Sequence, residues 1–140
     1  MAESIEGFAA LVGEWTTEAT HPMLPGVVVR GTASIEWLEG ESFLIVRARN
    51  DHPQFPDSIS VIGDTDGLRM HYFDSRGVSR IYETAVTDRA WESARDFPGF
   101  SQRFTGTFED GGNTISGLWR LSEDDETWAD DLRITYRRST

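Results

Sequence analysis

The stretch VVVRGTASIEWLEG, residues 27–40, alternates between two kinds of side chain. Val27, Val29, Ala33, Ile35 and Trp37 fall on one face, and Arg30, Thr32, Ser34 and Glu36 on the other. A period of two is the mark of a strand with one face in a core. Gly31 stands mid-strand, where barrels commonly bend. Working outward, the same alternation returns in EWTTEATH, SFLIVRAR, SISVIG, LRMHYFD, VSRIYETAV, AWESAR, SQRFTGTFE, TISGLWRL and TWADDLRITYRR. Gly, Asp, Asn and Pro punctuate these segments, as turns require. About ten short antiparallel strands result, and a meander of that size closes on itself to remove its edges. The predicted fold is all-β, an up-and-down antiparallel barrel in a single domain over residues 1–140. One short helix precedes it: SIEGFAALVG offers Ser4 as N-cap, Ile5, Phe8 and Val12 as an apolar face, and Gly13 as a stop.

Composition narrows the function. The chain of 140 residues is long enough for one self-sufficient core. It has no cysteine, which removes disulfides, thiolate metal sites and cysteine nucleophiles. All 13 basic residues are arginines, so lysine chemistry such as Schiff-base formation is excluded as well. A net charge of −11 opposes binding to nucleic acid, whose affinity rests on neutralising phosphates. No apolar run approaches the ~20 residues of a membrane span, and the acidic N-terminus MAESIEGFAALVGEW does not read as a secretion signal. A cytoplasmic location is the expectation.

Residues 70–83, MHYFDSRGVSRIYE, read as a hairpin with a three-residue loop and Gly77 in the left-handed position. That register sets Tyr72 opposite Arg80 and Met70 opposite Tyr82, with His71, Phe73, Ile81 and Glu83 on the other face. Arg80 then reaches either a tyrosine ring or Asp74. Pairing alone leaves open which face is inside. The connections carry a second signal. HPMLPG, NDHPQFPDS and DFPGF are long and proline-bearing, and in a meander they all fall at one end, with SRG and EDDE. The tight turns LEGE, DTDG, TDR and EDGG fall at the other. The first end is the expected mouth, with His21, His52, Phe55, Phe97 and Phe100 as its loop residues.

LVGEW at residues 11–15 puts Gly13-x-Trp15 after a short helix and at the head of the first strand, and the last strand is rich in arginine. This resembles the opening signature of the calycin barrels, which include the lipocalins and fatty-acid-binding proteins. The chain as a whole is more similar still to small bacterial proteins related to nitrobindin. That resemblance runs from LVGEW through MHYFDSRGVSRIYE and FSQRFTGTFEDGGNTISGLWRLSED to Trp128 and ITYRR. It implies a structural contact between Trp15 and an arginine of the last strand, Arg133 or Arg137. It also implies haem as a candidate cofactor. Nitrobindins use a histidine late in the chain, however, and here none follows His71.

Chemistry-bearing patterns are sparse. There is no nucleophile elbow, phosphate loop or dinucleotide fingerprint. Adjacent acids such as Asp124/Asp125 and Asp130/Asp131 point to opposite faces of a strand, so they cannot flank one bond. His21, His52 and His71 lack paired metal-ligand spacing; His71 and His52 remain the weak candidate haem ligands. These patterns favour a binding protein over an enzyme without deciding between them, and an activity would rest on His and Asp rather than on a covalent nucleophile. Arg80-x-Tyr82, on one face with Tyr72, suits a carboxylate, and the resemblance to fatty-acid-binding proteins implies such a use. The candidate ligand-binding set is Arg80, Tyr72, Tyr82, Met70, Trp37, Phe104 and Trp119, and the partner a small hydrophobic or amphipathic molecule. Two alternatives stand beside it: a haem protein, and a filled barrel serving as a homodimerisation or interaction module.

Overall fold

The computed structural model describes residues 5–139. Ten strands form one closed antiparallel barrel: β1 (Gly13–Thr20), β2 (Val29–Trp37), β3 (Phe43–Asn50), β4 (Ser58–Asp64), β5 (Leu68–Asp74), β6 (Ser79–Val86), β7 (Ala90–Arg95), β8 (Ser101–Glu109), β9 (Thr114–Ser122) and β10 (Ala129–Arg138). Each strand pairs with its neighbours in sequence, and β1 closes the wall against β10. The strand count and topology match the alternation read from the sequence. The N-terminal segment differs. It is a 3₁₀ helix over Ile5–Leu11, and Ser4, proposed as its cap, lies outside the described residues. The tighter coil repeats every three residues, so Ile5, Phe8 and Leu11 share an edge, in place of Ile5, Phe8 and Val12.

That helix seals the base. Phe8 and Leu11 are fully buried, and they meet Trp15, Ile35, Leu44, Ile62 and Ile115 from the strand ends beneath. Removing each such side chain from water stabilises the fold by about 1.5–3 kcal/mol. The sheet closure is also made here. Trp15 Nε1–H donates to the Leu11 carbonyl at 2.9 Å, and the Arg138 guanidinium lies 4.2 Å over the Trp15 ring. Arg138 also donates to the carbonyls of Val12 and Ala10. The arginine packed on Trp15 is thus Arg138, not Arg133 or Arg137 as the resemblance implied. Register decides it: Trp15 stands opposite Arg138, both inward, whereas Arg137 stands opposite outward-facing Thr16. Arg137 pairs with Glu18, and Arg133 with Asp130, on the outer wall. Gly13 of the Gly-x-Trp motif has φ +142°, and a Cβ there would collide with the Arg138 guanidinium.

The hairpin of residues 70–83 forms as read. Tyr72 faces Arg80 and Met70 faces Tyr82. Gly77, at φ 85°, closes the loop by donating its N–H to the Asp74 carbonyl. All the long connections gather at one end, opposite the helix-sealed base. Among the described residues no helix is long and apolar enough to cross a membrane.

Candidate functional site

Inward positions near the base are filled, but those nearer the mouth enclose a cavity of about 220 Å³. The question left open by pairing is settled here: Met70, Tyr72, Arg80 and Tyr82 all face it. Phe104 of β8 and Trp119 of β9 form part of the opposite wall, and Phe55 reaches in from the β3–β4 loop. Trp37 does not take part. It lies at the base end of β2, partly buried against the core.

The walls are aromatic and mutually ordered. Tyr72 meets Tyr82 edge to face at 6.4 Å, and Tyr82 meets Trp119 at 5.3 Å. Phe104 lies 4.9 Å from Trp119 and 5.2 Å from Trp91. Such contacts hold rings in place, each adding about 0.5–1.5 kcal/mol beyond burial. Several polar groups of the lining are already spent within the protein. Tyr82 donates to Gln102 Oε1 at 2.9 Å, and Trp91 Nε1–H donates to Thr84 Oγ1, which also bonds Ser93. Burial pushes the Tyr82 hydroxyl up, tempered by the Arg80 guanidinium beside it.

Asp74 anchors the rim of the hairpin. It accepts from the Tyr72 hydroxyl at 2.8 Å, from Nε and Nη2 of Arg76, and from the backbone N–H groups of Arg76 and Val78. Burial would raise its carboxyl, but the bonds from Arg76 and Tyr72 and the two backbone donors outweigh this. They hold it well below the usual carboxylate range. Burial, reinforced by the bond to Asp74, pushes the Tyr72 hydroxyl well above its ordinary value. Arg76 pairs with Asp74, and Arg80 does not. Arg80 lies 5.3 Å over the Phe100 ring and has no carboxylate partner among the described residues. The wall is thin beside it, since β6 and β7 pair only from Glu83↔Ala94 to Val86↔Trp91. The mouthward part of β6, from Ser79 to Tyr82, has no β7 partner.

The three histidines do not converge. His71 faces outward and bonds Thr65 Oγ1 at 2.9 Å. His52 accepts the Gln54 N–H and meets Phe55 edge to face. His21 accepts the Met23 N–H on Nδ1 and contacts Asp131 through Nε2 at 2.6 Å. Among the described residues no three His, Asp or Glu side chains group as a metal site would require. No histidine lines the cavity, and its 220 Å³ is below the ~300 Å³ at which pockets for drug-sized ligands begin. The two candidate haem ligands, His71 and His52, therefore stand outside the cavity lining.

Several lining residues escaped the sequence reading. Gln102 shares a face with Phe104 and was detectable as a lone amide on an apolar stripe. Tyr136 was hidden by placing Arg133 and Arg137 inward, although Ile134 and Tyr136 mark the true inner face of β10. Asp131 and Leu132 reach the cavity through a bulge between Asp130 and Arg133, which alternation does not announce. Of the expected mouth residues, Phe97 packs under Arg95 and Phe100 under Arg80.

The fold has a solved counterpart. The crystal structure of Rv2717c from M. tuberculosis superposes with a TM-score of 0.70 over 100% of this chain and 99% of that one, at 10% identity. At that identity the likeness is one of fold. No protein-family model matches the sequence, and no curated protein matches it closely enough to be a relative. The chain is a closed ten-stranded antiparallel barrel, similar in fold to Rv2717c.

Proposed function

We propose that this barrel binds a small amphipathic molecule bearing a carboxylate, held in the mouth-half cavity with its acid group at Arg80. One observation carries the reading: an aromatic-walled hollow contains a guanidinium that no described carboxylate neutralises. Arginine presents a planar fork matched to a carboxylate, and the partly enclosed setting strengthens that attraction over its value in water. The resemblance to the calycins and to nitrobindin-related proteins is in keeping with an interior ligand. Native mass spectrometry of freshly purified protein, with displacement of a fluorescent fatty-acid probe, tests it. Bound acid and displacement lost in Arg80→Gln are expected; no binding to either protein overturns it.

A second reading, self-association through the outer wall, is favoured by an apolar patch. Ile59 and Phe73 are cross-strand partners on β4 and β5, Ile81 lies diagonally across on β6, and all three are about half exposed. Sedimentation velocity over a concentration series tests it, with a single monomeric species as the refuting result.

A further inference from the structure

Resting on that reading, we infer that the preferred ligand is a compact aromatic acid carrying a hydroxyl at the end remote from its carboxylate. Three observations lead there. The first is size. A cavity of about 220 Å³ exceeds the ~150 Å³ that holds a benzene ring and falls short of ordinary drug-sized pockets. A ring with a short side chain fills it, and an extended alkyl chain fits it less well.

The second is the wall. Trp91, Trp119, Phe104 and Tyr82 are fixed against one another through edge-to-face and tilted contacts, an arrangement that accepts another ring at comparable spacing.

The third is the distribution of unspent polar groups. Arg80 stands near the mouth end of β6. Thr17 of β1 and Tyr136 of β10 are cross-strand partners, both facing the cavity. Tyr136 touches Trp15 and Trp91, which places it toward the base. The Thr17 and Tyr136 hydroxyls have no hydrogen bond to a described group, and neither do those of Ser58 and Ser60 on β4, whereas those of Tyr72, Tyr82 and Ser93 do. No fully enclosed side-chain nitrogen or oxygen among the described residues is left unpaired, so the free hydroxyls meet cavity space. A ligand that fills this space with hydrocarbon strips them of water and returns nothing, which costs affinity. A ligand hydroxyl restores the bond, and sites built this way reject the analogue lacking it. The cavity thus has a guanidinium near its mouth and, on the side toward the base, the Tyr136 hydroxyl free to bond a ligand.

Tryptophan-fluorescence and calorimetric titrations of the whole protein with phenylpropionate, para-hydroxyphenylpropionate and dodecanoate test this. The hydroxylated acid should bind about tenfold more tightly than phenylpropionate, as one added hydrogen bond predicts. Dodecanoate should bind more weakly than either. In Tyr136→Phe, which keeps the ring, the tenfold preference should shrink to within about twofold. Thr17→Val, of the same shape, supplies the same comparison should Tyr136→Phe not fold. Dodecanoate binding tightest, or a hydroxyl preference absent from wild type or unchanged in the variants, overturns the inference and leaves the carboxylate reading standing. No binding of any acid, to wild type or to Arg80→Gln, overturns both.

Discussion

The two halves of the barrel are built on the same ten strands and obey opposite rules. At the base, inward side chains are large and apolar, and the 3₁₀ helix adds Phe8 and Leu11 as a plug. In the mouth half, the inward positions of β4 and β7 include Ser58, Ser60 and Ser93, too small to meet across the lumen, and a cavity remains. Stability and binding are thereby separated along one axis. The packed end holds the wall closed, while the hollow end is free to carry groups that a core would not tolerate, Arg80 foremost.

The sharpest way to break this division is Phe8→Ala. Truncating a fully buried phenylalanine costs about 3–5 kcal/mol, and chemical denaturation should show that loss. A loss under ~1 kcal/mol would mean that the base is not the stabilising half. Asp74→Asn, at the rim, should cost less, about 1.5–3 kcal/mol at neutral pH, the range for bonds to a charged group. Its pH dependence has a definite sign. Asp74 has a folded-state pKa below its unfolded one, so its contribution is fully present above the unfolded carboxylate range near pH 4 and is lost as pH falls below it. Wild type and variant should therefore converge in acid, and curves that stay parallel would refute the role assigned to this carboxylate. The smallest effect belongs to the cavity. Ser60→Ala removes a hydroxyl that bonds no described group, so stability should change by no more than about 0.5 kcal/mol.

Much of this architecture is legible in local pattern. Alternation identifies the strands, proline-bearing connections mark the mouth, and the turn chemistry of Asp74–Gly77 fixes the register that sets Tyr72 against Arg80. The cavity is less legible. Tyr72, Tyr82, Met70, Phe104 and Trp119 are anticipated, while Gln102, Tyr136 and Asp131 are not, and Trp37 is placed in it although it belongs to the base. Each of these errors concerns depth along the barrel axis or phase beyond a bulge. A period of two assigns a side chain to a face but carries no information about its height in the lumen.

The sequence by itself therefore determined the strands, their order and the end at which the barrel opens, because these follow from neighbours along the chain and from turn geometry. Tertiary structure alone decided which arginine closes the sheet on Trp15, which wall residues meet around a hollow, and that Asp74 is taken by Arg76 while Arg80 has no carboxylate partner among the described residues. Those outcomes depend on how ten strands stagger as they close, a property of the whole ring and not of any one segment.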